Sequence, residues 1–431
     1  MAARVSVAST SPQDWRYIAE GGATMVFGYV GPAHPVFDGT ALRLRKTVHG
    51  VRDVDPEESS QGQDGEGPDD PSVVFQNAVI ARLVSREYLP RLEHVLVEKT
   101  WLEELDRISD ERRPPKRRAV DKIDVTRKKA VLADNLIGGD GLVVEIKPKW
   151  GFLPSPAYLS PATRDVKTRV CRFCMHSHPA VSEKQDIKGS FCPLDLYSGE
   201  TNRVVCALGA LWDAWLLSSG GINNLRIFVE GEIVRPNPDK LISESTPAGA
   251  NVADLRRRFV SLTVPAILDS SSLQLLSTLQ RTLDPFDIEG LVTLWTRIHT
   301  LTDDNTTRQF GSGVPEPTIE EWSRFIDSYL AKSHLPSANE LAKAAPDELR
   351  YHTLAYLLSA TFKDCSLMIR LPCATALATH NHIPDASIYL IDLDVKSISR
   401  LAKWKQLDRY IVESYMQTGD TRRCVDARKG L

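Results

Sequence analysis

At 431 residues the chain exceeds the size at which a single hydrophobic core keeps growing, so two lobes are expected, and 42% hydrophobic residues suffice for a sizeable interior. A net charge of -3 argues against a surface coated in basic residues for duplex DNA, so any polyanion site has to be a local concentration of Lys and Arg. No run reaches the roughly 18 apolar residues of a membrane span; the nearest, Val204 to Leu217, is interrupted by Asp213, so no membrane partner is expected. Met1 to Asp14 lacks the apolar stretch of a secretory signal, and seven scattered cysteines read as reduced thiols of cytosol or nucleus.

In chain order, Trp15 to Arg45 predicts a strand, a Gly-containing turn and a second strand, with Val26, Phe27, Tyr29, Leu42 and Leu44 as β-type residues. Residues 53–70 are rich in Glu, Asp, Ser, Gln and Gly and read as a disordered insertion. Val74 to Leu105 carries apolar spacing for one or two helices, and Glu111 to Arg118 is a basic, Pro-interrupted loop. Ala130 to Ala133 and Gly141 to Ile146 look like buried strands joined near Asp134 and Asn135. Beyond Pro148 helices are expected at Asn202–Leu217, Ala266–Arg281, Asp287–Ile298, Ile319–Leu330, Glu348–Met368 and Ile398–Tyr415, with one strand at Ser387–Val395. A β-rich first third and a helical remainder predict an α+β, bilobal architecture: an N-lobe of residues 1–135 and a C-lobe of residues 136–431, suited to a nucleotide in the cleft between lobes.

Glu20-Gly21-Gly22-Ala23-Thr24 sits between two strand-like segments, where glycines let backbone N–H groups approach phosphate oxygens. It is not a P-loop, since no Gly-Lys-Ser/Thr follows; it reads as a phosphate flap with Arg43 as a nearby cation, or as an ordinary hairpin turn. The segment VVEIKPKWGFLP, Val143 to Pro154, says more. An apolar strand ends in Glu145 and delivers Lys147 and Lys149 to one side of a period-2 chain. Two adjacent lysines repel one another unless an anion lies between them, although a solvated strand end is the plainer alternative.

EIKPKWGFLP resembles the signature segment of the inositol-pentakisphosphate 2-kinase family. So do EGGA near the N-terminus, RFCMH at Arg172–His176, PLDLYSG at Pro193–Gly199, NNLRIF at Asn223–Phe228, KDCSLMI at Lys363–Ile369 and LIDLDVK at Leu390–Lys396. These blocks come in the family's order and span nearly the whole chain. The resemblance implies a bilobal fold related to protein kinases, with ATP and Mg2+, making inositol hexakisphosphate by phosphorylating the 2-hydroxyl of inositol 1,3,4,5,6-pentakisphosphate. It further implies Asp364 as general base, Lys147 as the cation on the transferring phosphoryl group and Asp392 as the magnesium ligand, with Asp394 as second choice. Nucleotide contacts would come from Gly21, Gly22, Ala23, Thr24, Arg43, Asp134, Asn135 and Glu145, the backbone of Ala133 to Asn135 reading the adenine edge. Five phosphates bring on the order of eight negative charges, and the positions matching the family's substrate contacts are Lys149, Arg172, Asn223, Asn224, Lys396, Arg400 and Trp404. Lys396 and Arg400, four apart, would share one rim if a helix starts near Ile398.

The chain also departs from the pattern. Thr24 stands where Asn is usual, Ala180 where a substrate Lys is common (Lys184 or Lys188 being possible substitutes), and Trp404 where a Tyr is expected. Cys171-x-x-Cys174 with His176 and His178 is too cramped for paired zinc knuckles. Cys192 and Cys206 would complete a site only by folding back, so core cysteines are the expectation. The Arg112–Arg118 run resembles a nuclear-localisation patch or a loop touching substrate; nuclear or cytosolic residence and a monomer are expected. The competing functions are a non-catalytic inositol-polyphosphate receptor, disfavoured by Lys147, Asp364 and Asp392 together, and a nucleic-acid or phospholipid-headgroup module, disfavoured by the overall charge and the lack of repeated aromatics.

Overall fold

Along β2 (Thr24–Tyr29) Met25 and Phe27 are fully buried, and along β3 (Thr40–Val48) Leu42 and Leu44 repeat that period-2 pattern. The computed structural model describes residues 5–49, 68–139, 142–181, 191–229, 231–236, 252–302, 309–331, 346–371 and 386–428. It is an α+β protein of two compact units. One comprises Met1–Asn77, Leu89–Gly141 and Phe228–Glu232; the other comprises Ala78–Tyr88, Leu142–Ile227 and Ile233–Leu431. Among the described residues no single helix is long and apolar enough to cross a membrane.

The first unit is built on an antiparallel sheet ordered β1-β2-β3-β6-β4, with β1 at Trp15–Glu20, β4 at Leu92–Leu96 and β6 at Lys129–Asp134; β5, Asp121–Ile123, pairs with β3. Its core gathers Trp15, Met25, Phe27, Phe37, Leu42, Trp101, Leu102, Leu105 and Leu132. The stretch Val74–Leu105, read as one or two helices, holds two, at Pro71–Ala78 and Lys99–Ser109, with the unexpected strand β4 between them. Pairing with β6 in antiparallel register overrides the apparent helical spacing of Leu92 and Leu96. Of the expected disordered insertion, residues 53–67 lie outside the described residues, whereas Asp69 and Asp70 are anchored. Asp70 accepts from Arg45 at 2.6 Å, and Asp69 from Lys129 at 2.9 Å.

A second antiparallel sheet is ordered β11-β10-β7-β8-β9: β7 at Leu142–Ile146, β8 at Leu225–Val229, β9 at Glu232–Ile233, β10 at Ser366–Leu371 and β11 at Ser387–Ile391. One of these strands and one helix differ from the sequence expectation. The helix expected over Glu348–Met368 stops at Asp364, and Ser366–Leu371 becomes the strand between β7 and β11. An apolar run of that length suits a helix or a buried strand equally, and the two neighbouring strands decide it. The expected Ala266–Arg281 helix is two, Val252–Leu268 and Ser272–Leu283, because Ser270 Oγ accepts the Ser272 N–H and ends the continuity. Helix Ser272–Leu283 packs on helix Pro346–Asp364. Buried Gln280 ties them, donating from Nε2 to the Phe362 carbonyl (2.9 Å) while its own carbonyl accepts from Ser359 Oγ (2.8 Å).

Candidate active site

In the first unit the chain turns at Gly21–Ala23, with the Gly21 N–H donating to the Thr24 carbonyl at 2.8 Å. The turn's base is fixed by a buried two-by-two ion network: Lys46 and Arg113 each pair with both Glu20 and Asp121, at 2.6–3.0 Å. No Cβ on Gly21 or Gly22 would meet any atom within 4 Å, so both glycines leave open space on their surface side. Arg43 lies on β3, opposite Val26 of β2 and Val131 of β6. Asp134 is committed to the Arg91 N–H (2.8 Å), and the Asn135 N–H to the Gly39 carbonyl (2.9 Å). That N–H is therefore already used inside the sheet and is not a free reader of an adenine edge, contrary to expectation. Arg113, counted in the basic run, is 3% exposed and belongs to the ion network rather than to any surface patch.

In the second unit the ends of β7, β10 and β11 gather charge. Lys147 follows β7 and donates to Asp392 Oδ2 at 3.0 Å; Lys396 donates to Asp364 Oδ2 at 2.9 Å. Both ammonium groups are largely buried, with side chains 13% exposed, while the two carboxylates remain more than half exposed. Asp364 is the last residue of helix Pro346–Asp364, not an interior helical position. Burial opposes its ionisation, but Lys396, Lys149 and Lys147 outweigh it and hold the carboxyl below the ordinary range. Burial also works against the charge on Lys147, yet Asp392, Glu145 and Asp364 raise it above the usual lysine value. Lys149 moves the other way. Burial, joined by repulsion from Lys147 and Lys396, draws its ammonium below the ordinary value despite Asp364.

Backbone geometry departs from the period-2 expectation at this point. Lys149 has φ +63° and Asp392 φ +60°, the left-handed region that non-glycine residues seldom occupy. Each costs on the order of 1–2 kcal/mol, less for Asp, and persists only because the surroundings hold it. At Lys149 the restraint is plain: its carbonyl accepts from Tyr197 Oη (3.1 Å) and Gln280 Nε2 (3.0 Å), and the next N–H but one, of Gly151, donates to Gln280 Oε1 (2.7 Å). A Cβ on Gly151 would lie 2.7–2.9 Å from the Tyr197 ring, which is 1% exposed. Gly151→Ala is therefore expected to destabilise the chain by about 1–3 kcal/mol, read by urea denaturation.

The remaining predicted residues are distributed as follows. Glu145 is buried behind the charged cluster, accepting from Ser366 Oγ (2.9 Å) and Arg226 (3.2 Å); the same Ser366 hydroxyl lies 3.2 Å from Asp392 Oδ2. It is thus a support for Asp392, not an exposed nucleotide contact. Arg172 Nε donates to Asp408 Oδ1 (3.0 Å), and its guanidinium sits 5.1 Å from the Trp150 ring centre. Asn224 is buried, its carbonyl taking the Lys147 N–H (3.1 Å), and Asn223 is exposed. Lys396 precedes the helix Leu401–Met416, while Arg400 is the exposed residue at that helix's start, so a shared helix face does not relate them. Trp404 lies 6.0 Å, ring to ring, from Tyr356. Lys184 and Lys188 lie outside the described residues.

Four contributors escaped sequence reasoning: Ser366, Arg226, Asp408 and Lys363. Lys363, buried against the Trp150 face at 4.0 Å and paired with Asp284, has its charge disfavoured by burial. Ser366, Arg226 and Lys363 lie inside the KDCSLMI and NNLRIF blocks, so membership of a block was their available signal. Cys171, Cys174 and Cys192 are buried as expected of core cysteines, with Cys192 folded back onto the other two and Cys424 beside them, whereas Cys206 is exposed and apart.

A protein-family model described as inositol-pentakisphosphate 2-kinase matches residues 17–410. A Cryptococcus neoformans protein of the same name is 32% identical over 96% of each chain. An Arabidopsis thaliana protein so named is 28% identical over 93% of each. A Danio rerio protein so named is 25% identical over 64% of this chain and 67% of its own.

Proposed function

Since the chain belongs to the inositol-pentakisphosphate 2-kinase family and phosphorylates inositol pentakisphosphate with ATP, we propose the following division of labour among its residues. Asp364 accepts the proton of the attacking 2-hydroxyl, Lys147 balances charge on the transferring phosphoryl group, and Lys149, Lys396, Arg172, Asn223, Arg400 and Trp404 hold substrate phosphates. The observation carrying this reading is the convergence of Lys147, Lys149 and Lys396 on Asp364 and Asp392 at the ends of three neighbouring strands. Each ion pair keeps a lysine in place and exchanges its carboxylate for phosphate when a polyanion arrives.

The chemistry follows from that placement. The substrate 2-oxygen forms a bond to the γ-phosphorus as the bond from that phosphorus to the β-phosphate oxygen breaks, releasing ADP. Asp364 is ionised across the neutral range, since its lysine neighbours hold its pKa down, and takes the hydroxyl proton as the bond forms. Asp392 offers a hard, half-exposed carboxylate in a tight left-handed turn, a donor suited to Mg2+. A magnesium ion bound there would offset charge on the ATP phosphates. Asp394 is exposed on the same loop and is the alternative donor.

We extend the proposal to a bilobal, kinase-like fold, residues 1–135 supplying the Gly21–Thr24 phosphate flap and Arg43, and residues 136–431 the reacting groups. Nuclear or cytosolic residence and a monomeric state belong to the same reading.

The test combines turnover and binding. Purified protein with ATP, magnesium and inositol 1,3,4,5,6-pentakisphosphate should yield inositol hexakisphosphate; binding without turnover under any divalent ion would favour the receptor. Lys149→Ala should weaken pentakisphosphate binding by about tenfold, and by more at low ionic strength, where a charge contact is least screened. With its pKa depressed, Lys149 loses its proton at lower pH than an ordinary lysine, so affinity falls early on the alkaline side. Lys149→Arg should move that fall to higher pH, and an unmoved profile would remove Lys149 from the substrate contacts.

A further inference from the structure

We propose that Asp426 and Arg428, on the C-terminal tail, are positioning residues for Lys149: they clasp the two side chains that hold this lysine in its left-handed turn. The inference rests on the proposed role of Lys149 as a phosphate contact. A lysine at positive φ persists only where its surroundings over-determine it. Its carbonyl is taken by Tyr197 Oη and Gln280 Nε2, which themselves lie 3.2 Å apart. Neither donor is placed by its own element alone. Tyr197 caps the four-residue helix Pro193–Leu196, which is too short to hold itself in water. Gln280 belongs to a different helix, Ser272–Leu283.

The tail spans the two. Arg428 Nε donates to the Tyr197 carbonyl at 2.6 Å, and its guanidinium covers the turn at Gly199, where a Cβ would lie 3.2 Å from Arg428 Nη2. Asp426 reaches the other side. Its carboxylate takes Arg281 Nη2 on both oxygens at 3.0 Å, one residue along the helix from Gln280. It also accepts the Leu153 N–H at 2.9 Å, four residues beyond Lys149. Asp426 Oδ1 accepts the Arg428 N–H at 3.3 Å as well, which joins the two anchors. Arg203 Nη2 donates to the Val425 carbonyl at 2.7 Å and fixes the tail just before them.

The burial pattern is that of a strap. From Asp420 to Asp426 the chain adopts no helix or strand, and Thr421, Arg423, Val425 and Ala427 are exposed. The Asp426 side chain is nonetheless 3% exposed. A carboxylate withdrawn this far from water needs a partner, and Arg281 supplies it while lying 5.5 Å from the Phe152 ring centre. The segment leading from Lys149 to Leu153 is thus held at both ends. Losing either anchor frees Tyr197 or Leu153, lets the Lys149 turn relax, and carries its ammonium toward water. Burial and repulsion from Lys147 and Lys396 then weaken together, so the depressed pKa of Lys149 moves back up.

The test reads Lys149 directly and its substrate separately. In full-length protein carrying isotope-labelled methyl groups on its lysines, the NMR signal missing from Lys149→Arg reports the Lys149 titration. Asp426→Ala and Arg428→Ala should each move that titration toward the ordinary lysine value. Each should also raise KM for inositol pentakisphosphate by about threefold to tenfold, with kcat and KM for ATP changed less than about twofold. Arg428→Lys, which keeps a charged donor, should recover part of the loss. In a Lys149→Ala background the effect of Asp426→Ala on KM should largely vanish, since residues acting through one another are not additive. Should Asp426→Ala fail to fold, Arg428→Ala, at a half-buried position, carries the test. An unmoved Lys149 titration in Arg428→Ala, or an undiminished Asp426→Ala effect in the Lys149→Ala background, would overturn the proposal. Were Lys149→Ala to bind pentakisphosphate normally while the tail variants still shifted the Lys149 titration, the substrate-contact reading would fail and the positioning role would stand.

Discussion

Asp392→Ala is expected to lower kcat by at least about 10³-fold while changing pentakisphosphate affinity less than about threefold. The carboxylate stands immediately beyond β11, half exposed, with Lys147 at 3.0 Å and the Ser366 hydroxyl at 3.2 Å. Its proposed role is to offset charge on the nucleotide phosphates, so its loss falls on turnover rather than on the pocket for the inositol phosphates. Lys147 keeps the electrostatic company of Glu145 and Asp364 and stays charged. Alanine at φ +60° adds a backbone cost on the order of 1 kcal/mol, so Asp392→Asn is the sharper probe. Asparagine tolerates the left-handed turn and keeps a hydrogen-bonding oxygen but removes the charge. Steady-state kinetics paired with calorimetric binding separates the two effects, and an asparagine variant retaining more than about a tenth of wild-type turnover would rule out the metal-ligand assignment.

Lys167→Met is expected to cost about 3–5 kcal/mol of stability, a large share of the roughly 5–15 kcal/mol typical of a folded domain. The Lys167 ammonium is 2% exposed and ringed by Asp287 at 2.5 Å, Asp408 at 2.9 Å and Glu289 at 3.2 Å. These carboxylates sit close enough to resemble an acidic metal cluster, but the ammonium already occupies the centre of their charge. Removing it strands buried negative charge that methionine cannot compensate. Arg172 donates to Asp408, so the same change loosens a proposed phosphate contact.

The pH dependence of that variant checks the cause. Burial, with repulsion from Asp408 and Asp284, pushes the Asp287 carboxyl up to about 6 even with Lys167 beside it. A group whose folded pKa is raised binds its proton more tightly in the folded state. Its stabilising contribution is therefore complete below the ordinary carboxylate value and is lost as pH rises through about 6. Without the ammonium the carboxylates hold protons more tightly still, so the gap in melting temperature between variant and parent should narrow from pH 7.5 to pH 5. Parallel melting curves across that range would exclude the ion cluster as the source of the loss.

Much of the proposed catalytic cluster was legible before any fold was known, because its residues come in short contiguous blocks. Lys147 and Lys149 lie in one block, Asp364 in another, and Asp392 with Lys396 in a third. What surrounds them was less legible. Ser366–Leu371 carries an apolar pattern that serves helix and strand alike, and only hydrogen bonding to β7 and β11 makes it a strand and places Asp364 at a helix end. Glu145 ends an apolar strand, which made it look presented to a ligand; Ser366 and Arg226, from two other strands, turn it inward as a support. The alternation that put Lys147 and Lys149 on one side fails because Lys149 is held in a left-handed turn by Tyr197 and Gln280.

Sequence by itself determined the family, the α+β class and the cluster of lysines and carboxylates proposed to meet phosphate, since local order along the chain carries all three. Tertiary structure decided which charges neutralise which: Lys167 with Asp287 and Asp408, and Lys363 with Asp284. Those partners are far apart along the chain, so no spacing rule relates them. They meet because an ion withdrawn from water is costly until a counter-charge is beside it, and only the folded backbone brings one there.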